Sequence, residues 1–205
     1  MVTIKTAQEI EILREGGKRL AAILQAVAAE VKPGVSTEYL NTKAQELIEA
    51  GGDTSAFLNY QPKGAARPYP ASLCVSINDE IVHGIPNEHP SILKEGDVVS
   101  LDLGLIHKKL ITDHAVTVAV GKISKEAQKL LDVTRKALNV GIDAAKPGKK
   151  TGDIGFAIQR YVEKHKVGII EELAGHGVGY SVHEDPYVPN YGNAGEGVLL
   201  KPGMV

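Results

Sequence analysis

The sequence predicts a mixed helix and strand domain, α/β or α+β, in which one helix–helix–strands unit occurs twice. Three observations predict it. Two pairs of helical patterns are each joined through a Lys-Pro-Gly turn, and each pair is followed by strand-like, glycine-bounded runs. Short matches also align the halves: "EVKPGVSTEYL" at 30–40 overlies "AAKPGKKTGDI" at 144–154, a shift of 114 that sets Ile48 over Val162. The run "LKEGDVVSLD" at 93–102 likewise resembles the final "LLKPGMV", with Gly96 over Gly203.

The elements follow in order. Residues 6 to 31 place Ile10, Leu13, Leu20, Ile23, Leu24 and Val27 at helical spacing between charges, and the pattern stops before Pro33–Gly34. A second helix starts with Ser36 or Thr37 as its N-cap and ends at Gly51–Gly52. Residues 53 to 72 are rich in turn formers and predict an irregular loop. Strands are expected at "LCVSIN", "DVVSLDLGLI" and "LITDHAVTVAV", helices at about 124–145 and 151–165, and glycine-rich strands after that. The repeats therefore span about 6–120 and 124–205 of one domain covering 1–205.

Composition narrows the function. A net charge of −2 and no run of like charges give no footprint for nucleic acid. No apolar stretch reaches membrane-spanning length, and "MVTIKTAQEIEILREGG" lacks the apolar core of a signal peptide. One cysteine, Cys74, excludes an internal disulfide and fits a reducing cytoplasm.

The densest chemistry lies in "SLDLGLIHKKLITDHAV". A tight turn centred on His107–Lys108 sets Asp102 directly across a hairpin from Asp113, on one face, with Cβ atoms roughly 4.5–5.5 Å apart. Like charges so placed call for a cation between them, and a divalent metal answers that, or two metals sharing carboxylate oxygens. The alternative is a displaced register with both aspartates solvated, since the turn lacks Asn-Gly or Asp-Gly. In "AGHGVGYSVHEDP" the glycines do not match a nucleotide-binding spacing. They let backbone close around His176, as a metal ligand requires, while His183, seven residues on, points to the opposite face of an extended segment. Glu184 and Asp185 could also be ligands, but acidic residues before a proline more often form a solvated turn. His83 precedes a glycine in "CVSINDEIVHGIP", and His89, His107, His114 and His165 read as surface.

Together, "YPASLCVSINDEIVHGIP", "GDVVSLDLGLIHKKLITDHAVTVAVG", "GHGVGYSVHEDP" and "VLLKPGM" resemble the type I methionine aminopeptidases of the pita-bread metallopeptidase family. The resemblance implies an α+β pita-bread fold, a pseudo-two-fold duplication around a central antiparallel sheet. It implies a cytoplasmic, monomeric enzyme that removes the initiator methionine from nascent chains near the ribosome. A small second residue is preferred, and neither nucleic acid nor membrane is a partner. It also implies two divalent ions (Co, Mn, Fe or Zn) on two aspartates, one histidine and two glutamates. Asp102, Asp113 and His176 match the first three. His83 and His183 match histidines that hold the peptide and stabilise the tetrahedral intermediate. Cys74 matches a wall of the methionine pocket, with Tyr60 and Tyr69 as further walls.

The sequence departs from the family in two places. The first glutamate ligand is expected about six residues after Gly203, near position 209, which agrees with the repeat of Asp102 after Gly96, and the chain stops at Val205. A 205-residue piece keeping three of five ligands is expected to bind metal weakly and be inactive. Gln61 also stands where a histidine is expected. Two other readings compete: a non-catalytic binding module of the same fold, and an Xaa-Pro peptidase.

Overall fold

The computed structural model describes residues 2–205, and their elements fall into two compact units. One unit runs from Glu11 to Ser124. The other takes residues 2–10 together with Lys125–Val205. Helix α1 (Ala7–Ala28) begins at a Thr6–Glu9 capping box, in which Glu9 accepts from the Thr6 N–H at 2.8 Å and Thr6 Oγ1 accepts from the Glu9 N–H at 3.3 Å.

In the Glu11–Ser124 unit, α1 and α2 (Thr37–Ala50) cover one face of an antiparallel sheet. Ser36 caps α2 as the sequence predicts, accepting from the Tyr39 N–H at 3.1 Å. The sheet is built on β3 (Val98–His107). Strand β4 (Leu110–Ala119) pairs along the whole of one edge. On the other edge β2 (Leu73–Ile77) pairs with residues 99–103 and the short β1 (Thr54–Ser55) with 105–106. The two-residue β1 lies in the stretch expected to be irregular throughout. Period-two alternation then sorts the side chains. Leu73, Val75, Val99, Leu101, Leu103 and Leu105 turn towards Leu20, Leu24, Val27, Leu40, Ala44 and Ile48 and form the core. Each such fully buried aliphatic contributes about 1.5–3 kcal/mol.

The β3–β4 turn differs from the predicted one. His107 pairs with Leu110, so the two-residue loop is Lys108–Lys109, with φ of 47° and 71°. Positive φ at both positions is the type I′ geometry whose twist matches a hairpin. Asp102 therefore faces Ala115, and Asp113 faces Gly104. The partner moves by two residues, and an even shift preserves the face. Asp102 and Asp113 are diagonal neighbours on one face instead of a directly opposed pair.

In the other unit, α3 (Lys125–Ala144) and α4 (Thr151–Lys164) pack through Val133, Ala137 and Val162. At Gly141 an added Cβ would lie 2.9 Å from Ile158 Cδ1, so the helices meet where α3 has no side chain. Strands β5 (Ala174–Gly177) and β6 (Glu184–Pro189) form an antiparallel ribbon with a register shift between His176 and Gly177. Helix α4 lies so close to the chain after β6 that a Cβ on Gly155 would meet Tyr191 O at 2.3 Å.

The units repeat one hydrogen-bond pattern. In the first, Gly34 N donates to Leu93 O, Leu93 N to Val35 O and Thr37 N to Ser91 O. In the second, Gly148 N donates to Leu200 O, Leu200 N to Lys149 O and Thr151 N to Val198 O. Isolated bridges Ser36–Ile92 and Lys150–Leu199 complete the parallel. The helix-linking positions differ by the 114 of the sequence match, and Gly96 and Gly203 share a left-handed φ of 95° and 90°.

Candidate metal and substrate site

Asp102 and Asp113 share the sheet face turned away from the helical core. Strands β3 and β4 hold them there by ladder register, and the absent side chain at Gly104 admits the Phe57 ring, whose Cε1 lies 2.6 Å from where a Cβ would be. Burial pushes the Asp102 carboxyl up to about 7, helped by the charge of Asp113 and a hydrogen bond with it, and opposed by the Leu103 N–H. The neighbouring Asp113 carboxylate thus favours a proton on Asp102 when no cation is bound.

Cys74 faces Asp102 across the β2–β3 pairing. Its thiol is buried, and burial pushes it up to about 12; a Tyr69 hydrogen bond works against this, and the Asp102 and Asp113 charges add to it. The Tyr69 hydroxyl donates to Gly84 O at 2.8 Å, and burial, with Cys74 next, raises it well above the usual phenol range. Tyr60 is half-buried and accepts through its carbonyl from the Tyr69 N–H at 2.8 Å, closing the 61–68 loop at its base. Gln61 spans that loop, donating to Ala65 O at 3.0 Å.

His83 is exposed in a left-handed conformation, φ 60°. The residue after it is pinned: Gly84 O accepts from Val75 N at 3.0 Å, and Gly84 N donates to Ser76 Oγ at 3.1 Å. A Cβ at Gly84 would fall 2.2 Å from Val75 O, so glycine alone lets the His83 segment lie on β2.

His176 and His183 stand on the β5–β6 ribbon and the turn before β6. The bend between them corrects the expectation of opposite faces: their rings lie 4.5 Å apart, tilted by 58°. His176 Nδ1 is 2.9 Å from Gly177 O. With the proton on Nδ1 donated to that carbonyl, Nε2 is the acceptor nitrogen, the usual orientation of a ligating imidazole.

Two sequence expectations fail here. Glu184 is not a solvated turn residue. It forms an ion pair with Lys5 at 2.6 Å, and the two side chains are only 7% and 1% exposed. Burial pushes its carboxyl up, but Lys5, Thr3 and the N–H groups of Ser181 and Tyr180 outweigh that and bring it down to about 2. His107 is not on the surface. It is buried, with Nδ1 2.7 Å from Asp53 Oδ1, beneath α1 at Gly16. Both pairs join residues remote in sequence, 179 and 54 apart, so no local pattern announces them.

Among the described residues no group of three or more His, Cys, Asp or Glu is gathered for a metal ion. The donors fit one by their chemistry, each unit taken by itself: in the Glu11–Ser124 unit the close carboxylate pair offers hard oxygens, and in the other the oriented imidazole of His176 offers nitrogen, donor types that suit Mn, Fe, Co or Zn.

Comparison with known proteins agrees with this chemistry. The family model for metallopeptidase family M24 matches residues 11–205. A methionine aminopeptidase of Aquifex aeolicus is 47% identical over 92% of this chain and 73% of its own. Methionine aminopeptidase 1 of Bacillus subtilis is 40% identical over the whole chain and 79% of its own. The crystal structure of methionine aminopeptidase from Thermotoga maritima superposes with a TM-score of 0.93 at 39% identity, covering 100% of this chain and 79% of that one. The prolidase of Pyrococcus furiosus, at 23% identity and a TM-score of 0.80, shares the fold. That common architecture is the pita-bread fold.

Proposed function

Because the chain belongs to metallopeptidase family M24, we propose that it is a methionine aminopeptidase, removing the initiator methionine from chains with a small second residue. The observation that carries this is the hydrogen-bonded, largely buried Asp102–Asp113 pair within a family match running through residues 11–205. A binding module has no use for such a pair. The Xaa-Pro peptidase reading is not favoured, since the relatives at 40–47% identity bear the methionine aminopeptidase name. The unbroken match also supports one catalytic domain. We place the enzyme in the cytoplasm as a monomer acting on nascent chains near the ribosome, in keeping with its single thiol and the lack, among the described residues, of any helix able to cross a membrane.

Two divalent ions, when bound, make a coordinated water nucleophilic at neutral pH and polarise the scissile carbonyl. The chain's own groups do the rest. Asp102 and Asp113 would hold the ions through carboxylate oxygens, and His176 would supply the nitrogen ligand, its ring fixed by Gly177 O. His83 and His183 hold the peptide and donate to the developing tetrahedral oxygen. Cys74, Tyr60 and Tyr69 wall the methionine side chain, a thioether suited to a soft, apolar pocket. Two further ligands, both glutamates, are implied by the resemblance. Asp102, Asp113 and His176 are the three of the five that match within these 205 residues, which cover 79% of the length of the Bacillus subtilis relative.

The test compares the 205-residue polypeptide with one extended to that length, by calorimetric titration with manganese or cobalt and by release of methionine from a Met-Ala peptide. The extended chain should bind tightly and release methionine. An extended chain that binds metal yet leaves the peptide intact overturns the activity, and turnover by the 205-residue chain at the extended chain's rate overturns the ligand count.

A further inference from the structure

We propose that Lys5 is a positioning residue for the His176–His183 pair, acting through Glu184. This rests on the reading of His183 as a substrate contact.

Lys5 and Glu184 are the nearly dry centre of one hydrogen-bonded cluster. Lys5 Nζ contacts Glu184 Oε2 at 2.6 Å, donates to Thr3 Oγ1 and lies 4.7 Å above the Tyr180 ring. Thr3 Oγ1 donates to Glu184 Oε2 at 2.5 Å. The other carboxylate oxygen accepts from the N–H of Tyr180 and, at 2.9 Å, from that of Ser181. Glu184 therefore closes the 180–184 turn, and that turn brings His183 back over His176, ring centroids 4.5 Å apart. Tyr180 adds a second tie, its hydroxyl donating to Glu9 at 2.8 Å at the start of α1.

The fit around Lys5 is close. At Gly179, φ 140°, an added Cβ would lie 2.4 Å from Lys5 Cε, so the turn is shaped around the lysine stem. The Lys5 backbone N–H donates to Gly203 O at 2.7 Å, which fixes where the stem starts. His183 itself is exposed, and the neighbour locked in place beside it is Glu184. Without the ammonium, a carboxylate 7% exposed loses its countercharge and seeks water, drawing residues 180–184 outward. His183 then leaves His176.

Ring-current shifts of the two imidazoles report this directly, because they depend on the 4.5 Å ring–ring contact and not on activity. Carbon–proton spectra of histidine-labelled, metal-free 205-residue protein are compared for the parent, Lys5→Met, Lys5→Arg and Thr3→Val. In Lys5→Met the His183 ring resonances should move to the positions of an exposed, freely rotating histidine, while the methyl resonances of the Leu101–Leu105 core stay in place. Lys5→Arg should restore most of the parent shift, and Thr3→Val, which removes one hydroxyl from the cluster, should give a displacement between the two. Unchanged His183 resonances in folded Lys5→Met overturn the proposal; if that variant fails to fold, unchanged resonances in Thr3→Val do so. Adding a Met-Ala peptide to the parent separates the two readings. If the peptide leaves His183 unmoved while Lys5→Met releases it, the positioning role stands and the substrate role falls.

Discussion

Asp102 shows what a buried carboxyl beside a second one costs a protein at rest. Its carboxyl is held near 7, mainly by burial and next by Asp113, against a much lower value in an unfolded chain. The folded state thus keeps a proton that the unfolded state has released, and stability falls as pH rises from about 4 to about 7. Metal-free parent protein should lose thermal stability over that window, whereas Asp102→Asn, which keeps a donor beside Asp113, should change little and exceed the parent at pH 8. Differential scanning calorimetry with chelator measures it, and a parent curve no steeper than the variant's refutes it. Asp102→Asn should also weaken manganese binding at least roughly tenfold by titration calorimetry, since a lost ligand costs no less than a disturbed outer contact. The pair itself was legible in the sequence, because alternation put both aspartates on one face. The Lys5–Glu184 pair was not. Nothing near Glu184 announces a lysine 179 positions earlier, and a carboxylate before proline most often faces water.

At the scale of elements, helices were read from their spacing and caps, and the structure places Ser36 and the Pro33 and Pro147 turns where those signals put them. The β3–β4 turn lies one residue beyond the predicted one for a physical reason. Lys108 and Lys109 occupy φ of 47° and 71°, which L-residues with long side chains take at a cost, so composition gave no hint that the turn lay there. The error did not reach the site, because strand pairing preserves faces under an even shift. Replacing Lys108-Lys109 with Asn-Gly should raise stability by about 1–2 kcal/mol in urea denaturation, with Asp102 and Asp113 undisturbed. A neutral or destabilising result would mean that the two lysines make compensating contacts.

At the scale of the whole molecule, the duplication visible as two short sequence matches is a duplicated hydrogen-bond pattern, with Gly34, Val35 and Thr37 repeated by Gly148, Lys149 and Thr151. The copies differ in what they bury. The first packs twelve or more aliphatic side chains between two helices and four strands, whereas α3 and α4 enclose a small cluster and leave Leu130, Leu138 and Ile142 exposed at 49%, 56% and 59%. Local opening follows buried apolar contact. Amides of β2 and β3 should therefore exchange roughly a hundredfold more slowly than those of β5 and β6 in the 205-residue protein, read by mass spectrometry. Equal rates would show that the strands open together.

Cys74 carries a consequence of its own. Its thiol is 4% exposed, faces Asp102 and is pushed up to about 12, so at neutral pH it is neither accessible nor a thiolate. Alkylating reagents and peroxide meet it only in molecules whose β2 edge has come away from β3. The lone sulfhydryl is therefore a native clock for the β2 edge beside Asp102: the pace at which a maleimide consumes it counts partings of β2 from β3, with no label added to the protein.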